Sequence, residues 1–112
     1  TVTPLGIPAS FYLPHKTGTP ISSTTAETLS GMMARNVSEV YGSGRFPNMD
    51  ICAKSGTAEV GGGKTPTSWF SGFLRNEDAP YAFAVVVEEG GSGSKTAGGV
   101  ASSVLNALVN GD

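Results

Sequence analysis

The chain has 112 residues, enough for one hydrophobic core and short for a cleft enclosed by two. A net charge of −2 and a pI near 5.2, with seven Lys and Arg scattered singly, leave no basic footprint, so no nucleic-acid partner is expected. A hydrophobic share of 38% argues for a folded chain despite 16 Gly and 7 Pro, which must then serve turns.

In chain order, the opening TVTPLG lacks the basic-then-apolar pattern of a signal peptide, and no later apolar run reaches the roughly 20 residues that cross a bilayer. The first residue is not Met, and the chain is expected to be a piece of something longer. Residues 1–22 hold four prolines, Pro4, Pro8, Pro14 and Pro20, each of which holds the preceding residue extended. This stretch reads as a lead-in with one short strand at Ala9 to Leu13.

From Thr24 the texture changes. Ala26, Leu29, Met32, Met33, Val37 and Val40 recur at spacings of three and four, the stripe of an amphipathic helix. Thr24 with Glu27 predicts a capping box, and Gly42 a C-terminal stop.

Three strand-like runs follow, Ile51 to Val60, Ser68 to Leu74 and Tyr81 to Glu88, with connections short enough for antiparallel hairpins. After GGSGS, an ordinary connection, Val100, Val104, Leu105 and Leu108 form a second helical stripe over Thr96 to Val109, with Ala97, Ala101 and Ala107 as small neighbours. The expected fold is α+β: a three-stranded antiparallel meander with two helices packed on one face. Residues 1–22 are the lead-in, and 23–112 form a single domain. The lone Cys52 lies in an apolar run and is expected to be a buried thiol.

Four stretches could carry chemistry. GGGKT at residues 61–65 suggests a phosphate loop, but the full pattern needs a glycine where Ala58 stands and a helix where Pro66 and SWFSGF follow, which favours a hairpin turn. Ser92-Gly93-Ser94-Lys95 is the one Ser-x-x-Lys, a spacing that can set an amine beside a nucleophilic hydroxyl. Its serine sits in a glycine loop, and the plainer reading is a helix start capped by Ser94. HKTGTP at residues 15–20 is bounded by prolines and reads as an exposed irregular segment, with His15 a surface residue. AKSGTA at residues 53–58 instead sits on a strand. There Ser55 and Thr57 share a side where paired hydroxyls can hold a carboxylate, and Gly56 lets another backbone approach. Strict alternation turns Lys54 to the opposite face, so its amine joins them only along an exposed strand edge. The spacing alone favours a plain surface strand.

The run AKSGTAEVGGGKTPTSWFSGF, followed by YAFAVVVEEGGSG and a final amphipathic helix, resembles the C-terminal part of the transpeptidase domain of penicillin-binding proteins, most of all the monofunctional class B type. AETLSGMMARNVSEVYGSGRFPNMDIC resembles that family's approach to its third motif, and the likeness spans roughly residues 22–109.

Of the family's three motifs, Ser-x-x-Lys, Ser-x-Asn and Lys-Thr/Ser-Gly, only the third stands in place. No Ser-x-Asn occurs, and Ser92-x-x-Lys95 follows the lysine-glycine strand where the family's first motif precedes it. The resemblance implies catalytic roles for Lys54 and Thr57, which would orient the catalytic network and give a backbone N–H to the oxyanion hole. It implies substrate-binding roles for Ser55, Gly56 and Thr57, around the terminal carboxylate and the acyl group.

It further implies a parent protein on the extracytoplasmic face of the bacterial membrane, held by an anchor outside this chain. That parent would cross-link peptidoglycan stem peptides through an acyl-serine and bind β-lactams, without cofactor or metal. This chain alone would be inactive, lacking the N-terminal part of the transpeptidase domain as its partner. In the family that part pairs beside YAFAVVVEE, and without it the edge would be covered by Ala9 to Leu13 or by self-association. The reading left standing against this one is a non-catalytic structural or peptide-binding module of the same fold.

Overall fold

The computed structural model describes Gly6, Pro8 and residues 13–111. Its element order is helix α1 (Ser23–Asn36), strands β1 (Ile51–Ala58), β2 (Thr67–Leu74) and β3 (Ala82–Val87), and helix α2 (Gly98–Asn110). The strands form one antiparallel sheet in the order β1-β2-β3. The expected α+β meander is thus observed, with each strand within two residues of its expected bounds. The proposed strand at Ala9 to Leu13 lies outside the described residues except for Leu13, which is exposed.

Register decides which side chains meet. Ile51 faces Leu74, Ala53 faces Gly72, Ser55 faces Phe70 and Thr57 faces Ser68, so these share one side of the sheet, continued on β3 by Phe83, Val85 and Val87. On that side lies the core: Ile51, Ala53, Phe70 and Leu74 pack against Ala97, Ala101 and Leu105 of the C-terminal helical segment and against Val37, Tyr41 and Phe46. Phe70 is its centre, with Tyr41 edge-on at 5.3 Å and Phe46 and Phe83 stacked at 6.1 and 6.0 Å.

Both helices depart from their expected stripes. On α1, Leu29 and Met32 are exposed, and the inward row is Ala26, Ser30, Met33 and then Val37. Beyond Asn36 the helix widens into a π-turn (Val37–Tyr41), closed by Gly42 N–H on Val37 O at 2.8 Å. Tyr41, four residues after Val37, follows it into the core, while Val40 stays exposed. The helix is capped by Ser22 rather than Thr24: the Ser22 hydroxyl accepts from Thr25 N–H at 3.1 Å, two residues earlier than the expected capping box.

On α2 the buried row is Gly98, Ala101 and Leu105, while Val100, Val104 and Leu108 stay exposed. Small residues face inward because Gly98 lies against Phe70 and the Arg45 guanidinium, where a Cβ would find contacts at 3.3 to 3.5 Å. Ser94 is not a cap; the segment before α2 is a second π-turn (Gly93–Ala97) whose preceding residue is Ser92. Cys52 is completely buried, as expected, on the opposite face of the sheet.

Candidate active site

β1 is an edge strand, and its hydrogen bonding sorts the candidate residues. Arg75 N–H donates to Asp50 O at 2.8 Å, so Asp50 and Arg75 form a bonded pair. By alternation, residues 52, 54, 56 and 58 bond to β2, while the N–H and C=O of residues 53, 55 and 57 point outward. The outward row is partly occupied: Asn36 Nδ2 donates to Ala53 O at 3.3 Å, and Ser55 N–H donates to the Tyr41 hydroxyl at 2.9 Å. The turn that ends α1 thus covers the first half of the edge, and the half from Ser55 O to Thr57 runs beyond it.

Lys54 starts on the face opposite Ser55, as alternation demands. Its chain then curls around the edge, and Nζ donates to Ser55 O at 2.6 Å. The amine and the two hydroxyls therefore converge on the same strip of strand edge. Ser55 is half-buried and its Oγ accepts from the Tyr41 hydroxyl at 3.0 Å. Thr57 is exposed and its Oγ1 accepts from Gly93 N–H at 3.2 Å. Gly56 lies opposite Trp69, and a Cβ there would stand 3.3 Å from the tryptophan Cβ, so any side chain would press on the indole.

The Ser92–Lys95 segment, expected to be a plain helix start, is docked on this strand. Gly93 lies so close to the sheet that a Cβ would run into Gly56 O and stand 2.7 Å from Trp69 O. Ser68, completely buried, donates to Ser92 O at 3.0 Å and accepts from Ala97 N–H at 3.0 Å. Arg45 reaches over from the lead-in to β1 and donates through Nη1 to Ser94 O at 2.9 Å. Its own carbonyl is held by Ser102 Oγ at 2.7 Å and Asn106 Nδ2 at 3.1 Å from α2.

Ser92 itself meets Ser94 Oγ at 3.5 Å, and its carbonyl is taken by Ser68 and Thr96 N–H. The segment is thus engaged as backbone scaffolding. Tyr41 and Gly93 escaped the sequence reading. The i, i+4 spacing of Tyr41 from Val37 is a signal for its burial alone, and Gly93 lies in GGSGS, whose composition shows nothing beyond an ordinary connection.

GGGKT forms the β1–β2 hairpin, with Gly61, Gly62 and Gly63 all at positive φ. HKTGTP is exposed and outside any regular element. Among the described residues no group of His, Cys, Asp and Glu could hold a metal ion, and no helix is long and apolar enough to cross a membrane.

Comparison with known proteins covers most of the chain. The family model of the penicillin binding protein transpeptidase domain matches residues 7–110. The peptidoglycan D,D-transpeptidase PbpA of Mycolicibacterium smegmatis is 31% identical over 93 residues, which are 80% of this chain and 19% of that protein. Among solved structures, PBPA from Mycobacterium tuberculosis superposes with a TM-score of 0.64 at 29% identity, over 78% of this chain and 23% of that one. The imipenem acyl-enzyme complex of penicillin-binding protein A from the same organism gives 0.63 at 30% identity, over 80% and 20%. The D,D-transpeptidase domain of the peptidoglycan glycosyltransferase from Eggerthella lenta gives 0.61 at 28% identity, over 87% and 24%.

The chain thus spans about a fifth to a quarter of the length of these relatives. With the match running over nearly all of its residues, the chain belongs to the penicillin-binding protein transpeptidase family.

Proposed function

We propose that this chain is the substrate-holding wall of a D,D-transpeptidase active site, the C-terminal subregion (residues 23–112) of a transpeptidase domain whose nucleophile is supplied by chain outside these 112 residues. The observation that carries the reading is the convergence on one open strand edge of the Lys54 amine, the Ser55 and Thr57 hydroxyls, and the outward backbone of residues 55 and 57.

An extended peptide ending in a carboxylate suits that edge. Its backbone pairs with Ser55 O and Thr57 N–H as an added strand, while the two hydroxyls receive the carboxylate. Gly56 keeps the strand flat beneath the acyl group. Lys54 adds positive charge where the anion arrives, and its amine sits within reach of a proton network at the reacting carbon.

The reaction is acyl transfer. A serine hydroxyl attacks the penultimate D-Ala carbonyl of a peptidoglycan stem peptide, its proton passing to a neighbouring base, and the terminal D-Ala leaves as the amine. A second stem peptide's amine then displaces the serine. Thr57 N–H donates to the oxyanion in both steps, the other donor being the N–H of the nucleophile itself. A β-lactam with its carboxylate in the same place acylates the same serine.

The whole protein then acts outside the cytoplasm at the bacterial membrane, and its remaining transpeptidase segment covers the open edge of β3. A fluorescent penicillin tests this: it labels the full-length protein covalently and leaves the 112-residue chain unlabelled. Labelling of the isolated chain at Ser92 would overturn the assignment.

A further inference from the structure

Both hydroxyls on the β1 edge receive a hydrogen bond from the protein's interior. Gly93 N–H can only donate, so the Thr57 oxygen accepts at 3.2 Å and its own proton is free to point elsewhere. At Ser55 the partner is another hydroxyl, and the direction follows from the other bond that hydroxyl makes. The Tyr41 oxygen already accepts from Ser55 N–H at 2.9 Å, and a phenol is more acidic than an alcohol, so the phenolic O–H is the donor in the 3.0 Å contact with Ser55 Oγ. One tyrosine oxygen thereby satisfies the outward N–H of Ser55 and fills an inner lone pair of its side chain. The Ser55 proton is left for whatever lies beyond the edge.

The tyrosine is well fixed for this task. Its ring is buried edge-on against Phe70 at 5.3 Å, and the π-turn closed on Val37 O carries it to the strand. Val40, one residue earlier, has nothing to donate and stays exposed.

We infer that Tyr41 is a positioning residue that turns the Ser55 proton outward as a hydrogen-bond donor, and so sets the preference of this edge for ligands ending in an anionic carboxylate over neutral ones. The inference rests on the proposed transpeptidase reading and adds to it a residue fourteen positions before Ser55 that recognises no substrate itself.

The experiment uses the full-length protein and two probes, benzylpenicillin and its methyl ester, and reads the ratio of their second-order acylation rate constants. Tyr41→Phe keeps the ring and removes the hydroxyl. Loss of one orienting hydrogen bond is expected to lower the ratio about 5-fold, and Ser55→Ala, which removes the donor itself, about 10-fold or more. Tyr41→Phe added to Ser55→Ala should lower it no further, since the tyrosine acts through the serine.

A ratio unchanged in Tyr41→Phe but lowered in Ser55→Ala overturns the inference while leaving the transpeptidase reading intact. So does a double variant whose losses simply add. Wild-type protein that benzylpenicillin fails to acylate overturns the transpeptidase reading and this inference with it. Thermal unfolding of each variant distinguishes a lost donor from a lost fold.

Discussion

Gly93 N–H donates to the Thr57 hydroxyl at 3.2 Å, so the loop that opens the last helix ends on a side chain of the Lys-Ser-Gly strand. That contact is possible only because Gly93 has no Cβ: one built there would collide with Gly56 O and crowd Trp69 O at 2.7 Å. Two strand carbonyls cannot yield as a flexible side chain can. Gly93→Ala is expected to cost about 3 kcal/mol, the upper end of ordinary overpacking. Denaturant unfolding of the purified protein checks it, with Gly18→Ala as control because nothing stands within 4 Å of a Cβ there. Equal midpoints for the two variants would show that the loop is not seated on the strand.

Ser68 holds the same loop from beneath. It is completely buried and bonds the loop at both ends, to Ser92 O and from Ala97 N–H. Ser68→Ala leaves the buried Ala97 N–H without its partner and removes one of the two hydrogen bonds on Ser92 O, for an expected loss of about 2 kcal/mol. Ser71→Ala, on the opposite, exposed face of the same strand, should stay within about 0.5 kcal/mol. A Ser68 variant as stable as the Ser71 variant would mean that water or loop movement replaces both bonds.

The sheet was legible because each strand's periodicity is bounded by strong turn chemistry: GGGKTP on one side of β2 and RNEDAP on the other leave little room for another register. The helices were legible as elements but not as faces. Leu29, Met32 and Val40 continue the period of Met33 and Val37, yet the structure turns them out, because the inward side of α1 is chosen by its fit to β1. On α2, size outvotes hydrophobicity: beside Phe70 and Arg45 there is room for Gly98 and Ala101, and Val100 and Val104 are displaced outward. Residues 54–57 could be picked out by motif and spacing. Tyr41 and Gly93 could not, since their parts depend on contacts across 14 and 36 positions of chain that no local pattern encodes.

Cys52 gives a pH-dependent prediction. Burial raises its thiol pKa above the ordinary 9.0, the nearby Arg75 charge opposing this and Asp50 adding to it. A raised folded-state value favours the neutral thiol. Its contribution to stability is whole below the unfolded pKa and is lost as pH rises from there through the folded pKa. Unfolding free energies measured from pH 7 to 10 should fall more steeply for wild type than for Cys52→Ala, by at most ~1.4 kcal/mol per pH unit for one proton. Parallel curves would mean that the thiol is open to solvent. The same burial makes native Cys52 unreactive toward a disulfide reagent until the protein unfolds.

The far edge of the sheet sets the last expectation. Among the described residues β3 pairs only with β2, and beside it runs an apolar groove of about 370 Å³ between the strand and α2, lined by Tyr81, Val85, Val104 and Leu108 among others. Val104 and Leu108 are each more than half exposed, at 51% and 55%. An unpaired strand beside exposed aliphatic side chains is a template for another strand. In the whole protein the proposed occupant is the rest of the transpeptidase domain. In the 112-residue chain alone the proposed occupant is a second copy, so sedimentation velocity should show concentration-dependent association. Val104→Lys puts a charge into the groove at a position whose side chain is already half in water, and should shift the chain toward monomer without lowering its unfolding midpoint. A chain that stays monomeric at every concentration would show that the edge is covered from within, and Val104→Lys would then change the midpoint instead of the mass.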